Sequence, residues 1–142
     1  MNWPARLWRL PRAAKWLACE LLLELTWLSL ALRLVHFRRL APLLGRQGAQ
    51  TPSEHPDQDH PMVLRVAGYT PRLAALLPWR CACLPQAMAA KRVLARHGYS
   101  STLYLGVRKD TTLEAHAWLR CGNRIVTGKR EMPSFTPISS FA

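Results

Sequence analysis

The spacing of apolar residues changes near Gly98, and this change limits the folds available to the chain. Before Gly98, apolar side chains recur every three or four residues, which is the periodicity of helices. Beyond it, they alternate with polar residues in short runs, as in half-buried strands. Tight turns separate the runs, so we expect antiparallel pairing. Helices followed by an antiparallel meander predict an α+β fold.

Three stretches are predicted to be helical. The first covers residues 1–45, with prolines near its start. The second covers 63–77 and stops before Pro78. The third covers 83–96, and Gly98 supplies its C-terminal stop. Strands are predicted at 101–107, 114–120 and 124–127, and the second strand places His116 and Trp118 on one face.

Residues 47–61 are predicted to form a flexible linker. They include three prolines, three acids and almost no apolar side chain, so they cannot bury enough surface to order themselves. The chain is therefore divided into an N-terminal helical segment (1–46), the linker (47–61) and a core domain (62–142).

The first helix is apolar nearly all round over residues 21–34. Glu20, Glu24 and Arg33 argue against a transmembrane span. We favour burial against the rest of the chain or against a partner protein. An interfacial helix, with the basic cluster at 36–39 at lipid headgroups, is the less favoured alternative.

The net charge of +12, from twenty lysines and arginines against eight acids, suits an acidic partner. The basic residues are spread along the chain, and no nucleic-acid motif is found. A non-catalytic basic module that binds nucleic acid or a membrane surface is thus an alternative to an enzyme. We expect an enzyme, with no nucleic acid as partner.

The four cysteines, Cys19, Cys81, Cys83 and Cys121, are expected to be reduced and the protein cytoplasmic. Cys81 and Cys83 are too close for a typical disulfide, and their spacing is poor for zinc. We predict neither a metal nor a cofactor.

Cys83 and His116 are the candidate nucleophile and general base. A cysteine that begins a helix lies at the positive end of the helix dipole, which stabilises a thiolate. The free N–H groups there can also polarise a scissile carbonyl. A histidine on a central antiparallel strand some thirty residues later is the layout of papain-like and transglutaminase-like thiol enzymes. Cys81 is the rival nucleophile, and Cys121 is expected to be inert.

Four strings in order resemble the lasso-peptide B-protein family, the transglutaminase-like leader peptidases of bacteria. They are CLPQA (83–87), KRVLARHG (91–98), LYLGV (103–107) and AHAW (115–118). The resemblance runs from about Pro78 to the C-terminus and more loosely into the N-terminal helices. It implies a transglutaminase/papain-like core, with the nucleophile helix packed on a small antiparallel sheet.

The resemblance also implies an activity and partners. Such proteins remove the leader from a lasso-peptide precursor, after which an ATP-dependent macrolactam synthetase closes the ring. Leader recognition belongs to a winged-helix element, and this chain, which starts with helices, is expected to need a separate recognition protein. A membrane contact through the N-terminal helix stays possible but is not favoured.

In many members of the family the third catalytic residue is an aspartate twelve residues after the histidine, and here that position is Gly128. Thr127, Glu131 or a main-chain carbonyl could orient the imidazole of His116 instead, because that role requires only a hydrogen-bond acceptor. Gln86 and Trp118 are candidates for lining the site or its oxyanion hole.

Overall fold

The computed structural model describes residues 3–142, and the chain forms an α+β fold. Five α-helices precede a four-stranded antiparallel sheet in this part of the chain. The helices are α1 (Trp3–Leu7), α2 (Arg12–Leu34), α3 (Phe37–Leu40), α4 (Pro61–Ala74) and α5 (Cys83–Arg96), and the strands are β1 (Thr102–Lys109), β2 (Leu113–Cys121), β3 (Arg124–Thr127) and β4 (Thr136–Phe141). Short 3-10 turns occupy Ala41–Leu44, Pro56–Asp59 and Met132–Ser134.

The predicted helices are present with changes at their ends. The N-terminal stretch divides into three helices, because Pro11 caps the start of α2 and Val35 is extended at its end. Helix α4 begins two residues before the predicted start, with the His60 imidazole accepting a hydrogen bond from the Met62 N–H. Helix α5 has the predicted bounds, 83–96.

The sheet has the order β3-β2-β1-β4, so β2, which carries His116, is an inner strand. Three of the four strands were predicted and β4 was missed. Its sequence, TPISSF, has little alternation and contains Pro137, which is tolerated because β4 is an edge strand. Gly106 on β1 lies opposite His116, and a Cβ there would come within 2.6 Å of the Trp118 ring.

Helix α5 lies at the centre of the core, packed against α2, α4 and the sheet. Its residues Ala87, Ala89 and Ala90 are completely buried. Small side chains on several sides let the neighbouring elements approach closely. Fully buried leucines and valines complete this core: Leu21, Leu25 and Leu28 from α2, Val63 and Val66 from α4, and Leu103 and Leu119 from the sheet.

The segment 47–61, predicted to be a flexible linker, makes tertiary hydrogen bonds in the structure. The Thr51 N–H donates to the Thr102 hydroxyl at 2.8 Å. The Arg120 guanidinium donates to the main-chain carbonyls of Thr51 and Pro52. Gln58 accepts a hydrogen bond from the Asn123 N–H. Polar groups on the sheet, rather than apolar burial, hold this segment.

Two glutamates join α2 to α5. Glu24 is 5% exposed and accepts hydrogen bonds from Arg92 at 3.0 Å, Arg96 at 2.5 Å and Trp27 at 2.6 Å. Glu20 accepts from Arg96 and lies 2.8 Å from the His97 imidazole. Burial alone would raise the pKa of Glu24, but these hydrogen bonds outweigh it and hold the pKa below its usual value. The acids that interrupt the apolar helix are therefore internal ion-pair partners.

The opposite face of α2 is exposed and apolar, and we call it the α2 stripe. Trp16, at its N-terminal end, is 76% exposed, and Leu34, at the other end, is 85% exposed. The α2 stripe consists of Trp16, Cys19, Leu23, Trp27, Leu30 and Leu34. Within residues 3–142, no helix has both the length and the apolarity needed to cross a bilayer.

We expect Glu24→Gln to lower the free energy of unfolding by about 3 kcal/mol, because it leaves the Arg92 guanidinium without a counter-charge and leaves Arg96 with Glu20 alone. The matched control is Glu114→Gln, which breaks an exposed ion pair with Arg108 and should cost less than about 1 kcal/mol. Urea denaturation of both variants measures the difference.

The ion pairs of Glu24 with Arg92 and Arg96 also predict that the stability of the protein depends on pH. The folded-state pKa of Glu24 is depressed, so its stabilisation is fully present above the unfolded carboxyl value of 4.5. That stabilisation is lost as pH falls through the lower folded pKa. The stability gap between wild type and Glu24→Gln should therefore narrow only below about pH 4.5. If the stability difference between wild type and Glu24→Gln did not shrink in acid, the ionised Glu24 carboxylate would not be its source.

Candidate active site

Cys83 is the first residue of α5 and is half-buried. The preceding residue, Ala82, is extended and offers no side-chain cap, and the first turn of the helix contains no acid. The N–H groups of that turn therefore have no side-chain acceptor from the cap position. With the helix dipole, they favour negative charge at the sulfur or on an oxygen bound beside it.

His116 lies in the middle of β2 and is 8% exposed. Its Nε2 is 3.0 Å from the Gly128 carbonyl oxygen, and the Phe135 ring packs on the imidazole with centroids 5.1 Å apart. A carbonyl only accepts, so Nε2 carries the proton in this hydrogen bond. In the neutral imidazole, Nδ1 is then unprotonated and can act as a base.

The two residues line one cavity of about 590 Å³. Cys83 enters from the start of α5 and His116 from β2, and the turn after β3 supplies another wall. Of the other predicted site residues, Gln86, Thr127 and Glu131 also line this cavity, as do Cys81 and Gly128. Residues between Pro71 and Glu131 in the sequence, from different elements, are thus brought together around a sulfur and an imidazole.

Gly128 holds the place of the expected aspartate for a geometric reason. Its φ is +75°, and a Cβ at this position would lie 2.9 Å from His116 Nε2 and 2.7 Å from the Ala117 carbonyl oxygen. A side chain does not fit here without movement of the backbone or the imidazole. The main-chain carbonyl occupies the acceptor position that a carboxylate would otherwise fill.

The other two candidates for orienting the imidazole are placed differently. The Thr127 hydroxyl is buried and has no hydrogen-bond partner among the described residues, so it makes no hydrogen bond to His116. A carboxylate oxygen of Glu131 lies 3.9 Å from Nε2, and this side chain is 54% exposed. Glu131 therefore adds a nearby negative charge, while the Gly128 carbonyl makes the hydrogen bond.

The remaining cysteines are in different environments. Cys81 is buried, its sulfur lies 3.4 Å from the Ser29 hydroxyl, and burial raises its pKa. Burial also raises the pKa of Cys121, which is fully inaccessible. Both thiols are held in the less nucleophilic protonated form. Cys19 is exposed on the α2 stripe, away from the cavity.

Trp118, predicted as a lining residue, does not line the cavity. It stacks on Tyr104 with ring centroids 5.6 Å apart and covers Gly106, and its ring centroid lies 6.0 Å from that of the His116 imidazole, so it packs beside the base without lining the cavity. Gln86 donates a hydrogen bond to the Cys81 carbonyl at 2.9 Å, which joins the start of α5 to the preceding loop.

Sequence reasoning missed Phe135, which packs on the imidazole, and three basic residues that line the cavity, Arg80, Lys129 and Arg130. The Gly128-Lys129-Arg130 run was visible directly after a predicted strand. Nothing in the sequence placed it next to Cys83, because that contact depends on how α5 packs on the sheet.

A family model described as the transglutaminase-like superfamily matches residues 27–140. The chain belongs to this superfamily. The match includes α4, α5 and the residues that line the cavity, and the observed α+β core agrees with it. The superfamily includes cysteine peptidases, so the pairing of Cys83 with His116 lies in a fold that supports thiol chemistry. Searches of curated proteins and of solved structures find no match.

We expect Gly128→Ala to be more destabilising than Gly98→Ala. Both positions have positive φ, but a Cβ at Gly98 meets nothing within 4 Å, whereas one at Gly128 meets the imidazole. The control should lose about 1 kcal/mol of unfolding free energy, and Gly128→Ala about 2 kcal/mol more. Urea denaturation measures stability, and imidazole ¹⁵N shifts report whether His116 keeps its Nε2 proton. Equal losses of unfolding free energy in the two variants, with unchanged imidazole shifts, would show that the imidazole does not prevent a side chain at position 128.

Proposed function

We propose that this protein is a cysteine peptidase in which Cys83 is the nucleophile and His116 the general base. The observation that carries the proposal is the shared cavity, which is lined both by a cysteine at a helix N-terminus and by an imidazole whose Nε2 is fixed by the Gly128 carbonyl. Of the three cysteines that could compete, Cys81 and Cys121 are buried thiols and Cys19 lies elsewhere.

The steps follow from these positions. His116 Nδ1 takes the thiol proton of Cys83, and the thiolate attacks the carbonyl carbon of a peptide bond. N–H groups of the first turn of α5 bind the oxyanion. The imidazolium then protonates the leaving amine, which gives a thioester and the first product. Water, deprotonated by His116, attacks the thioester and releases a carboxylic acid and the free thiol.

A main-chain carbonyl changes the electrostatics of this pair. It fixes the tautomer as a carboxylate would, but it is neutral and so stabilises the imidazolium less. We propose that Gly128 orients His116 and that Glu131 supplies the missing negative charge from 3.9 Å. On this proposal Thr127 is not an orienting residue, because its hydroxyl makes no hydrogen bond in the described part of the chain.

The finer proposal concerns the substrate. The strings CLPQA, KRVLARHG, LYLGV and AHAW resemble the lasso-peptide B-protein family, and the first and last of them contain Cys83 and His116. We propose that the peptidase removes the leader of a lasso-peptide precursor in the cytoplasm. It would act with a separate winged-helix recognition protein, before an ATP-dependent synthetase closes the macrolactam.

Replacing Cys83 by Ala should lower cleavage of the precursor by at least about a thousandfold, and His116→Ala by about a hundredfold or more. The assay is mass spectrometry of the precursor with the recognition protein present. Cys81→Ser is the matched control, because this neighbouring thiol is buried, and it should cleave within about threefold of wild type. Full cleavage by Cys83→Ala would refute Cys83 as the nucleophile. Loss of cleavage only in Cys81→Ser would show that Cys81 is the nucleophile instead.

A second candidate function is attachment to an anionic membrane surface, and the α2 stripe favours it. Residues 3–46 contain eight lysines and arginines but only two acids, Glu20 and Glu24, and both are paired with α5. Exposed tryptophan and leucine beside basic residues are typical of helices that lie in the headgroup region. This function is compatible with catalysis, since the stripe and the cavity are formed by different residues.

The α2 stripe can be tested by co-sedimentation with phosphatidylcholine vesicles with and without phosphatidylglycerol. We expect binding only to the anionic vesicles, weakened about tenfold or more by Leu23→Ser with Leu34→Ser. The matched control is Leu113→Ser with Ile138→Ser, which removes two other well-exposed apolar side chains, both from the sheet. Equal binding by both double variants, or no binding by wild type, would exclude the stripe as a membrane contact.

A further inference from the structure

Three cations line the cavity of Cys83 and His116 without a counter-charge of their own. Arg80 comes from the loop before α5, and Lys129 and Arg130 come from the turn after β3. All three side chains are exposed and make no ion pair or hydrogen bond with residues in the described part of the chain. Elsewhere on the same molecule, Arg92, Arg96 and Arg124 are paired with carboxylates.

The one carboxylate that lines this cavity is Glu131, and it lies beside the imidazole. When His116 takes the thiol proton, Glu131 faces the resulting imidazolium, while the thiolate and the new imidazolium cancel each other. The cavity therefore keeps a positive potential from Arg80, Lys129 and Arg130 through the reaction. Charges of one sign in a cleft concentrate ligands of the opposite sign.

We propose that the peptide bound at this site carries a carboxylate close to the scissile bond and that Arg80, Lys129 and Arg130 bind it. This inference rests on the proposed peptidase function and specifies its substrate class. The two segments that supply the cations meet at the cavity that holds the reacting sulfur, so the carboxylate lies within a few residues of the bond that is cut. Guanidinium groups suit this role because they bind carboxylates in a two-pronged geometry.

The first test needs no peptide. Cys83 is alkylated in separate reactions with iodoacetate, an anion, and iodoacetamide, which is neutral, and the two rates are measured by peptide mass spectrometry. Both reagents react with the thiolate, so their rate ratio cancels the nucleophilicity of the sulfur and reports the charge around it. We compare Lys129→Glu/Arg130→Glu with Arg38→Glu/Arg39→Glu, which makes the same change in net charge on exposed residues of α3.

The iodoacetate to iodoacetamide ratio should fall about fivefold or more in the cavity variant and less than twofold in the α3 variant. High salt should make the rate ratios of the two variants similar, because it screens exposed charges. Arg80→Glu should lower the ratio in the same direction. Because Arg80 lies in a separate segment, this result would show that the effect does not come from a local folding defect at 129–130. Equal ratios in the cavity and α3 variants would overturn the inference.

The second test uses the precursor peptide with its recognition protein. Each Asp or Glu near the scissile bond is replaced by Asn or Gln in turn, and one replacement should lower kcat/KM about tenfold or more. That loss should shrink in Lys129→Glu/Arg130→Glu, because two of the three cations that bind the carboxylate are gone. A precursor with an amidated C-terminus distinguishes a side-chain carboxylate from the terminal one, and only the former is expected to matter.

The failures of the two proposals are distinguishable. If wild type cleaves no precursor while the alkylation ratio behaves as expected, the peptidase function fails and the anionic preference of the cavity stands. If cleavage occurs but neither the acid replacements nor the cavity variant changes it, the substrate inference is wrong and the peptidase function stands.

Discussion

The rest of the structure depends on the burial of α5 between α2, α4 and the sheet. Ala87, Ala89 and Ala90 leave no side-chain bulk on several faces of this helix, so its neighbours can approach it closely. The ion pairs of Glu24 with Arg92 and Arg96 fix α2 to the same helix. Because α5 is held on all sides, its first residue, Cys83, has a fixed position and the N–H groups around it are preorganised.

The second constraint is the turn after β3. Gly128 has positive φ and leaves no space for a Cβ beside the imidazole, so its own carbonyl is the acceptor for His116 Nε2. A neutral acceptor orients the base but contributes little to stabilising its charged form. The same turn carries Lys129, Arg130 and Glu131 to the mouth of the cavity. One short segment thus sets the tautomer of the base and the local charge.

Much of the fold could be predicted because residue patterns over short stretches of sequence determine its helices and most of its strands. The helix at 83–96 has clear periodicity and a glycine stop, and the strands that became β1, β2 and β3 alternate. Strand β4 was missed because an edge strand with Pro137 and two serines has little pattern of its own, and pairing with β1 decides its conformation. Trp118 was placed at the site by its face of β2, but Gly106 leaves space for its ring against the sheet.

The sequence by itself determined the fold class, the helix that begins at Cys83 and the strand that carries His116, because periodicity and helix-terminal residues act over a few positions. It also placed Gly128, and no acid, twelve residues after His116. Only the tertiary structure decided that the Gly128 carbonyl is the acceptor for His116, that Thr127 is not, and that Arg80, Lys129 and Arg130 line the same cavity. These relations depend on how distant segments pack against α5, and local spacing along a chain carries no information about that.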